Sequence, residues 1–446
     1  MKEKLTFLIF ASLGALCLMI DAFYNGYPLV YSDTSTYIAS GFELETPFDR
    51  PITYALFLRA ASLNGMSLWT VIFTQAFLLS SLILLVIRQF MNRAHYLYAG
   101  IIIILFLSLF TGVSWTASQL MPDVFTANGF LLIILIMTGK FSRTIRIGLY
   151  VLFFVTCAMH MSHVLLFTLL VTFIFLFRRL LISDEVYSWS TARLTTLLIL
   201  SIGSFATMSS AASKSKHMFL MGAMVEHGIA KSYLDEHCPE GKYQFCEYKD
   251  SLPQRAYEFV WDEKSPVYKM GGWKETKTEF NEIIGRTLTT PKYIGMHIQA
   301  SLKATAEQLS LFSIGDGNGV FLTGTLLHQR VDTYFQHELN GYENARQNTK
   351  TLNLINVKNA VFFGVMIIST IALLLVLALG KGWNDLRLRL LILVVIVGVV
   401  LNAWDCGTFA NAIDRLGCKV MWLIPLLTII LGWKWITQKS TTQAGE

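Results

Sequence analysis

Charged residues are scarce in this chain of 446 residues. They make up 15% of the sequence, whereas hydrophobic residues make up 54%, and the mean hydropathy is +0.51. A soluble domain of this length would carry roughly a quarter charged residues. The deficit excludes an ordinary soluble protein and indicates that most of the chain is embedded in a membrane.

Several familiar motifs are also missing. No CxxC pair is present, which excludes the usual structural zinc sites, and no Gly-x-Ser-x-Gly motif marks a serine nucleophile. The apolar run Leu5–Ile20 follows Lys2 and Lys4 as in a signal peptide, but a small-residue cleavage site is lacking. We therefore expect this run to be an uncleaved first transmembrane helix.

Hydrophobic runs dominate what is present. A membrane-spanning helix needs about 20 predominantly apolar residues. The runs predict an all-α polytopic membrane protein with about ten transmembrane helices. Their approximate positions are 5–23, 67–88, 97–114, 124–139, 146–160, 162–178, 194–212, 357–380, 388–403 and 419–436.

These runs divide the chain into three parts. Residues 1–212 form a predicted N-terminal transmembrane module with a first loop at 24–66, and 357–446 form a C-terminal transmembrane module. The polar segment 213–356 lies between them. It contains aromatic and apolar residues throughout, so we expect a folded and mostly helical segment, including a helix from Pro291 to Leu311 that lies along the membrane surface.

Basic residues are distributed unequally between the two sides of the predicted bundle. When the N-terminus is placed in the cytoplasm, the inside segments carry far more Lys and Arg than the short outside loops. This asymmetry explains the net charge of +6 without a nucleic-acid partner. It predicts cytoplasmic termini, an external (periplasmic) 213–356 segment and, with the short loops, a bacterial inner (cytoplasmic) membrane in the cell envelope.

Cysteine positions agree with that orientation. Cys238 and Cys246 fall in the external segment, where disulfides persist, and we expect them to pair. Cys406 and Cys418 bracket the last external loop, and their pairing stays open because Cys418 can already lie inside the membrane. The turn at 315–319, Gly-Asp-Gly-Asn-Gly, has the oxygen spacing of a calcium loop but lacks the rest of an EF-hand, which favours a simple turn.

Two acidic residues on the external side are candidate catalytic groups. Asp33 lies about ten residues beyond the first span, and Asp123 begins the fourth. A carboxylate at the mouth of a helical bundle can act as a general base on an acceptor hydroxyl, orient a sugar or bind a metal. The alternative for both residues is structural, because Asp is a common N-cap and first-turn residue.

Basic and histidine side chains on the same side are candidate substrate-binding groups. Arg50 and Arg415 can bind a phosphate in two-pronged fashion, and Asp414 precedes Arg415. The alternatives are an interfacial arginine at 50 and a local ion pair at 414–415. His160 and His163 lie three residues apart and would share a helix face, as a metal pair or as interfacial polar residues.

The order of these features resembles the GT-C class of membrane glycosyltransferases, which use polyprenyl-phosphate-linked sugars. The shared features are an acidic Tyr-flanked motif with Asp33 and Tyr37, the Arg50-Pro51 dipeptide, the polar 118–123 loop that opens the fourth span, a large external segment, and Arg415 ahead of a Pro-containing last span. The first loop departs from the pattern of this class, because it has a single Asp where many members have adjacent acidic residues. The resemblance implies a GT-C-like fold, inverting sugar transfer and a lipid-linked donor.

These expectations combine into a hypothesis for function. The chain is predicted to be a glycosyltransferase that moves a hexosyl or pentosyl group from a polyprenyl-phosphate donor to an envelope acceptor at the external membrane face, among membrane lipids. Its metal requirement is open, with Mg²⁺ or Mn²⁺ compatible with the acidic residues. The alternatives are a transporter or flippase of a lipid-linked glycan, and transfer of another group to an envelope lipid.

Overall fold

Helices form all of the regular structure in the part of the chain that the computed structural model describes, residues 2–91, 95–181, 187–379 and 385–443. Within these ranges there is no strand, and one isolated backbone bridge joins Leu29 and Gln119. The fold is therefore all-α, as predicted.

Twenty-three α-helices are described. The first eleven are α1 (Lys2–Leu18), α2 (Ile20–Asn25), α3 (Thr34–Glu43), α4 (Thr53–Ala61), α5 (Leu68–Phe90), α6 (Tyr96–Phe110), α7 (Val113–Ser118), α8 (Val124–Thr138), α9 (Arg143–Ala158), α10 (Met161–Leu181) and α11 (Tyr187–Gly203). The next six are α12 (Ser209–Glu226), α13 (Ile229–His237), α14 (Ala256–Trp261), α15 (Pro266–Lys269), α16 (Lys277–Thr289) and α17 (Pro291–Ser310). The last six are α18 (Leu326–Tyr334), α19 (Leu339–Glu343), α20 (Ile355–Ala378), α21 (Leu386–Phe409), α22 (Asp414–Met421) and α23 (Leu423–Gln443).

Four helical stretches within the described ranges are long and apolar enough to cross a membrane. They are α5, α20, α21 and the continuous run Asp414–Thr437 formed by α22 and α23. A bent pair, Thr191–Thr207 with Ala211–Glu226, would make a fifth. Helices also occupy the other segments predicted as spans, but α6, α8 and Met161–Phe177 are shorter apolar helices. The chain thus has the helices of a membrane protein, and ten crossings stay a prediction.

The seventh predicted span, 194–212, is not one straight helix. The helix α11 ends at Gly203, a 3-10 turn follows, and the chain turns by 93° before α12 continues. The Ser204 hydroxyl donates to the Ser201 carbonyl at 2.7 Å, and the Thr207 hydroxyl donates to the Ser204 carbonyl at 2.6 Å. Such local side-chain bonds compete with the helical ladder, which is a physical reason for the break.

The helix α8 lies at the centre of the bundle. Its residues from Val124 to Met137 are all buried, and it packs against α5, α9, α11 and α21. A helix that is apolar on every side is stable only where other helices surround it. Asp123, which immediately precedes α8, is consequently held at the mouth of the bundle by an enclosed helix.

The described residues build two hydrophobic cores. One core unites the helices of the bundle, and the other lies within a module formed by α12–α16 and the start of α17, from Met218 to Tyr293. The predicted segment 213–356 is therefore divided. Its second part, from Phe312 to Leu352, packs into the bundle core together with the first loop.

A disulfide joins Cys238 and Cys246 in this extra module, with Cα atoms 5.6 Å apart, and we call 209–300 the disulfide module. Cys406 and Cys418 are free and buried. The helix α17 leaves the module and packs on α21, where the Ser301 and Thr408 hydroxyls lie 2.8 Å apart. Its apolar residues Ile294, Ile298 and Leu302 are exposed, while its position along a membrane surface stays a prediction.

Some residues used to orient the chain lie outside this description. Arg93 and Lys381, two of the basic residues in the predicted inside loops, fall outside the described residues. The orientation of the termini accordingly stays a prediction.

Candidate functional site: a charge cluster at the mouth of the bundle

Two loops that are far apart in sequence are clasped together at the start of α8. The Leu29 amide donates to the Ser118 carbonyl at 2.9 Å, and the Leu120 amide donates to the Leu29 carbonyl at 2.9 Å. The Thr34 hydroxyl adds a bond to the Leu120 carbonyl at 3.2 Å. The clasp fixes the start of α3 beside the start of α8, and with it Asp33 beside Asp123.

Neither of these two acids acts as a side-chain helix cap. Asp33 precedes α3 and Asp123 precedes α8, yet neither carboxylate accepts a capping hydrogen bond from its helix. Both residues already have helical backbone angles, φ −65° and ψ −22° at Asp33 and φ −57° and ψ −36° at Asp123. An N-cap that accepts such a bond usually has extended angles. Both carboxylates are thus available for other partners.

Three cationic side chains surround the two carboxylates. Arg50 Nη1 lies 3.1 Å from Asp33 Oδ2, and Arg415 Nη1 lies 3.7 Å from the same oxygen. Arg415 Nε lies 3.9 Å from Asp123 Oδ2, and Lys419 Nζ lies 3.9 Å from Asp123 Oδ1. We call these five residues, Asp33, Arg50, Asp123, Arg415 and Lys419, the charge cluster. Arg415 lies between its two acids.

Burial increases through the cluster from one end to the other. The side chain of Asp33 is 27% exposed and that of Arg415 is 12% exposed, whereas Asp123 is only 2% exposed. Both oxygens of Asp123, Nε and Nη1 of Arg415 and Nη1 of Arg50 are buried without a hydrogen-bond partner. Buried polar atoms are normally hydrogen-bonded, and leaving one unpaired is costly. The cluster therefore offers unused donors and acceptors to a polar ligand that enters beside Asp33.

Aromatic and acidic side chains hold the two arginines in place. The Arg415 guanidinium lies over the Tyr31 ring at 4.2 Å, and the Arg50 guanidinium lies 5.3 Å from the Tyr37 ring. Arg50 Nε also donates to Asp49 at 3.0 Å. Such cation–ring contacts fix the plane of a guanidinium. Burial raises the pKa of Tyr31, so its hydroxyl stays protonated and can donate a hydrogen bond.

The predicted turn at 315–319 holds the backbone of Arg415. The Arg415 amide donates to Asp316 Oδ2 at 3.0 Å, and the Asn318 amide donates to the Gly315 carbonyl at 3.1 Å. Gly317 has φ +67°, and a Cβ there would collide with the Tyr31 ring. Both the positive φ and this close approach require glycine.

The remaining predicted site residues have different surroundings. Asp414 accepts a bond from the Ser313 amide at 2.7 Å and so anchors the loop after α17. His163 is fully buried with both ring nitrogens bonded, Nδ1 to the Thr156 carbonyl at 2.8 Å and Nε2 to the Thr126 hydroxyl at 2.9 Å. These contacts occupy Oδ1 of Asp414 and both ring nitrogens of His163.

His160 lies beside His163. Its ring centroid lies 5.5 Å from that of His163, and its Nδ1 is 2.8 Å from the Ser162 hydroxyl. These contacts are local to the junction of α9 and α10.

Sequence reasoning missed two buried charged residues. Lys419 is 1% exposed, although a lysine at the start of a predicted last span looked like an ordinary interfacial residue. Its spacing of four from Arg415 was the available signal, because residues at i and i+4 share a helix face. Asp405 near the end of α21 is 4% exposed, and its Oδ2 has no hydrogen-bond partner.

The donor set of the cluster does not fit a metal ion. No group of three or more His, Cys, Asp or Glu side chains within the described ranges is arranged to hold a metal. Asp33 and Asp123 each face a cation instead.

Two clefts lie elsewhere on the surface. One, of about 530 Å³, lies in the disulfide module and reaches Lys303 and Glu307 of α17. The other, of about 390 Å³, lies along α4 between Leu56 and Leu63. The charge cluster lines neither cleft. It is the candidate functional site because of its buried polar atoms without hydrogen-bond partners, not because of a cleft volume.

No family model matches this chain, and no curated protein or solved structure is significantly similar to it.

Gly417 allows α22 to bring Arg415 and Lys419 into position. A Cβ at Gly417 would collide with the backbone oxygen of Leu311, which cannot move as a flexible side chain would. We expect Gly417→Ala to displace α22 and to lower the free energy of unfolding by about 1–3 kcal/mol, the usual cost of overpacking. Thermal unfolding in detergent measures it. Gly432→Ala, in α23, is the matched control because nothing lies within 4 Å of its added Cβ. Equal melting temperatures for the two variants would contradict the prediction.

Proposed function

We propose that the chain is a membrane glycosyltransferase that moves a sugar from a polyprenyl-phosphate donor to an acceptor at the outer face of a bacterial inner membrane. The observation that carries this proposal is the charge cluster, in which a carboxylate open to solvent and buried cations with unused N–H groups meet at the mouth of a helical bundle. The four helical stretches able to cross a membrane provide the lipid setting. The resemblance to the GT-C class favours the same chemistry.

In this proposal the donor phosphate is bound by Arg415, Arg50 and Lys419. Arginine presents a planar fork of donors that matches phosphate oxygens, and the arginine N–H groups that meet Asp33 and Asp123 as ion pairs without a hydrogen bond are the ones a phosphate would occupy. Asp123 holds Arg415 and Lys419 from the buried side and so positions both cations. The charge that develops on the departing phosphate is then stabilised by groups that are already in place.

Asp33 is the proposed general base. Before the donor binds, Arg50 and Arg415 pair with Asp33. A donor phosphate competes for both arginines and frees the carboxylate to accept the proton of an acceptor hydroxyl. The acceptor oxygen then forms a bond to the anomeric carbon, the bond from that carbon to the phosphate oxygen breaks, and the lipid phosphate leaves with the electron pair. Attack from the side opposite the phosphate inverts the anomeric centre.

The first test is removal of the proposed base. We expect Asp33→Asn to lower the rate of sugar transfer by about 10²–10⁴-fold, the range for loss of a general base, because the amide cannot take the proton. The measurement is transfer from radiolabelled polyprenyl-phosphate sugars to envelope fractions by the purified protein in lipid nanodiscs. Asp332→Asn, which changes an exposed aspartate of α18, is the control. Full activity of Asp33→Asn in well-folded protein would remove Asp33 from the mechanism.

Transport of a lipid-linked glycan is the second candidate, and the broken helix pair favours it. Interrupted helices often line the substrate path of transporters, and here Thr191–Thr207 and Ala211–Glu226 meet at 93°. Proteoliposomes loaded with the labelled lipid separate the two functions. A transporter moves the lipid between leaflets with its sugar still attached, whereas a transferase releases polyprenyl phosphate.

A further inference from the structure

A strip of aromatic rings connects the disulfide module with the first loop. The Trp273 ring centroid lies 5.3 Å from that of Phe48 and 5.0 Å from that of Trp261. Phe219 packs behind the two indoles, 5.9 Å from Trp273 and 6.3 Å from Trp261. We call Phe48, Trp273 and Trp261 the aromatic strip. Its three rings form a continuous series that begins in one part of the fold and ends in another.

Both ends of this strip face solvent. Phe48 is 44% exposed and Trp261 is 47% exposed, whereas Trp273 between them is 9% exposed. Exposed apolar side chains scattered singly are normal. Here the two exposed rings are joined through the mostly buried Trp273 ring, so one ligand can cover both ends of a single aromatic series.

The strip ends beside the charge cluster. Phe48 precedes Asp49, whose carboxylate binds Arg50, and Arg50 in turn lies 3.1 Å from Asp33. Two residues of chain span at most about 7 Å, so the Cα atoms of Phe48 and Arg50 lie within that distance, and an extended ligand that covers the Phe48 ring can reach the cluster. The position fits a reactant that must present one group to Asp33.

Exposed charged side chains of both signs follow the two tryptophans in sequence. Five exposed residues flank the indoles in sequence, namely Asp262, Glu263, Lys264, Lys274 and Glu275. Placing these charges in hydrocarbon would be costly, which opposes insertion of the strip into a bilayer. Carboxylates and ammonium groups are, in contrast, good hydrogen-bond partners for sugar hydroxyls.

We infer that Phe48, Trp273 and Trp261 bind the acceptor as a carbohydrate chain. One face of a hexose ring carries C–H groups with partial positive charge, which match the negative face of an aromatic ring, while the hydroxyls at its edge reach charged neighbours. The glycan lies along the strip and directs its reacting hydroxyl toward Asp33. This inference depends on the proposed sugar transfer and adds to it the chemical class of the acceptor.

The test measures binding without a donor. Wild-type protein in detergent is titrated with a panel of glucose, mannose, galactose and N-acetylglucosamine hexasaccharides, and binding is followed by calorimetry and ligand-observed NMR. We expect at least one panel member to bind and its Kd to rise at least fivefold in both Trp261→Ala and Phe48→Ala. Leu288→Ala is the control, because Leu288 is an exposed apolar residue of the same module, 53% exposed in α16, that lies outside the strip. No binding by the whole panel, or equal binding by all variants, overturns the inference.

Two further measurements separate the remaining outcomes. In nanodiscs with brominated lipids, the lipid tails quench the fluorescence of tryptophans inside the bilayer. Less quenching in Trp261→Ala than in the wild type would place the Trp261 indole in the bilayer and would overturn the glycan assignment. In the transfer assay, Trp261→Ala should raise the acceptor KM at least fivefold and leave kcat nearly unchanged. If transfer depends on Asp33 but Trp261→Ala leaves the acceptor KM unaltered, the glycan-binding role of the strip is overturned and the proposed function stands. If the wild-type protein binds a glycan through the strip but transfers no sugar, the proposed function is overturned and the glycan-binding role of the strip stands.

Discussion

Replacement of Arg415 by Met is expected to lower kcat/KM for sugar transfer by about 10³-fold or more. Arg415 is the side chain of the charge cluster that reaches both acids, at 3.7 Å from Asp33 and 3.9 Å from Asp123. Removal of a single donor aimed at developing negative charge costs about 10²–10³ in rate, and removal of an arginine at a phosphoryl group costs about 10³–10⁵. Steady-state transfer by variants in nanodiscs measures the effect.

Conservative and combined variants separate charge from geometry and from folding. Arg415→Lys keeps the positive charge but loses the planar fork, so we expect it to restore only a small part of the lost activity. Arg415→Met leaves Asp123 buried with Lys419 as its remaining cation, which also destabilises the fold. The double variant Arg415→Met with Asp123→Asn should recover the melting temperature without recovering transfer.

A surface pair provides the control for this series. Arg330 lies 2.7 Å from Glu43 at the surface, so Arg330→Met also removes an arginine–carboxylate contact, but one outside the cluster. We expect it to keep wild-type kcat/KM. Wild-type activity in a folded Arg415→Met variant would show that the cluster is not where the donor phosphate binds, and the proposed mechanism would then fail.

Local patterns in the sequence predicted the helices better than they predicted the site. The apolar run that becomes α8 is uniform around the helix, which signals a fully enclosed position, and this enclosure is what buries Asp123. Proximity of Asp33 to Asp123, in contrast, depends on the backbone clasp between Leu29 and Leu120. Backbone bonds of that kind leave no mark in hydropathy or charge.

Long-range polar contacts also connect the second part of the polar segment with the first loop. The Gln347 amide side chain accepts from the Val30 amide at 3.1 Å and donates to the Val30 carbonyl at 2.8 Å, tying the end of the polar segment to the first loop. Glu338 accepts a bond from the Tyr27 hydroxyl at 2.7 Å. One glutamine and one glutamate look like ordinary surface residues in a sequence, so nothing in the composition of 213–356 predicted that its second part belongs to the bundle.

The largest loss of stability is expected from breaking the Asp21–Lys358 pair. Lys358 Nζ, in the first turn of α20, lies 2.5 Å from Asp21 Oδ2 of α2, and the Ser114 hydroxyl of α7 lies 2.6 Å from the same oxygen. The three groups join helices that are distant in sequence, and Asp21 is only 8% exposed. Removing one partner of a buried ion pair leaves an uncompensated charge, which costs about 3–5 kcal/mol.

Lys358→Met is accordingly expected to lower the free energy of unfolding by that amount, and the double variant Asp21→Leu with Lys358→Met to recover much of it, because apolar groups of similar size often replace a buried pair without loss. Equilibrium unfolding in mixed micelles measures both. Lys231→Met is the control, since Lys231 also pairs with two aspartates, Asp235 and Asp250, but on an exposed surface where such pairs contribute little. A Lys358→Met variant as stable as Lys231→Met would show that α20 is held by apolar packing alone. The two lysine variants remove the same charge and the same side chain, so a difference between them comes from the surroundings. Recovery of stability in the double variant would assign the loss of stability in Lys358→Met to the unpaired, buried carboxylate of Asp21.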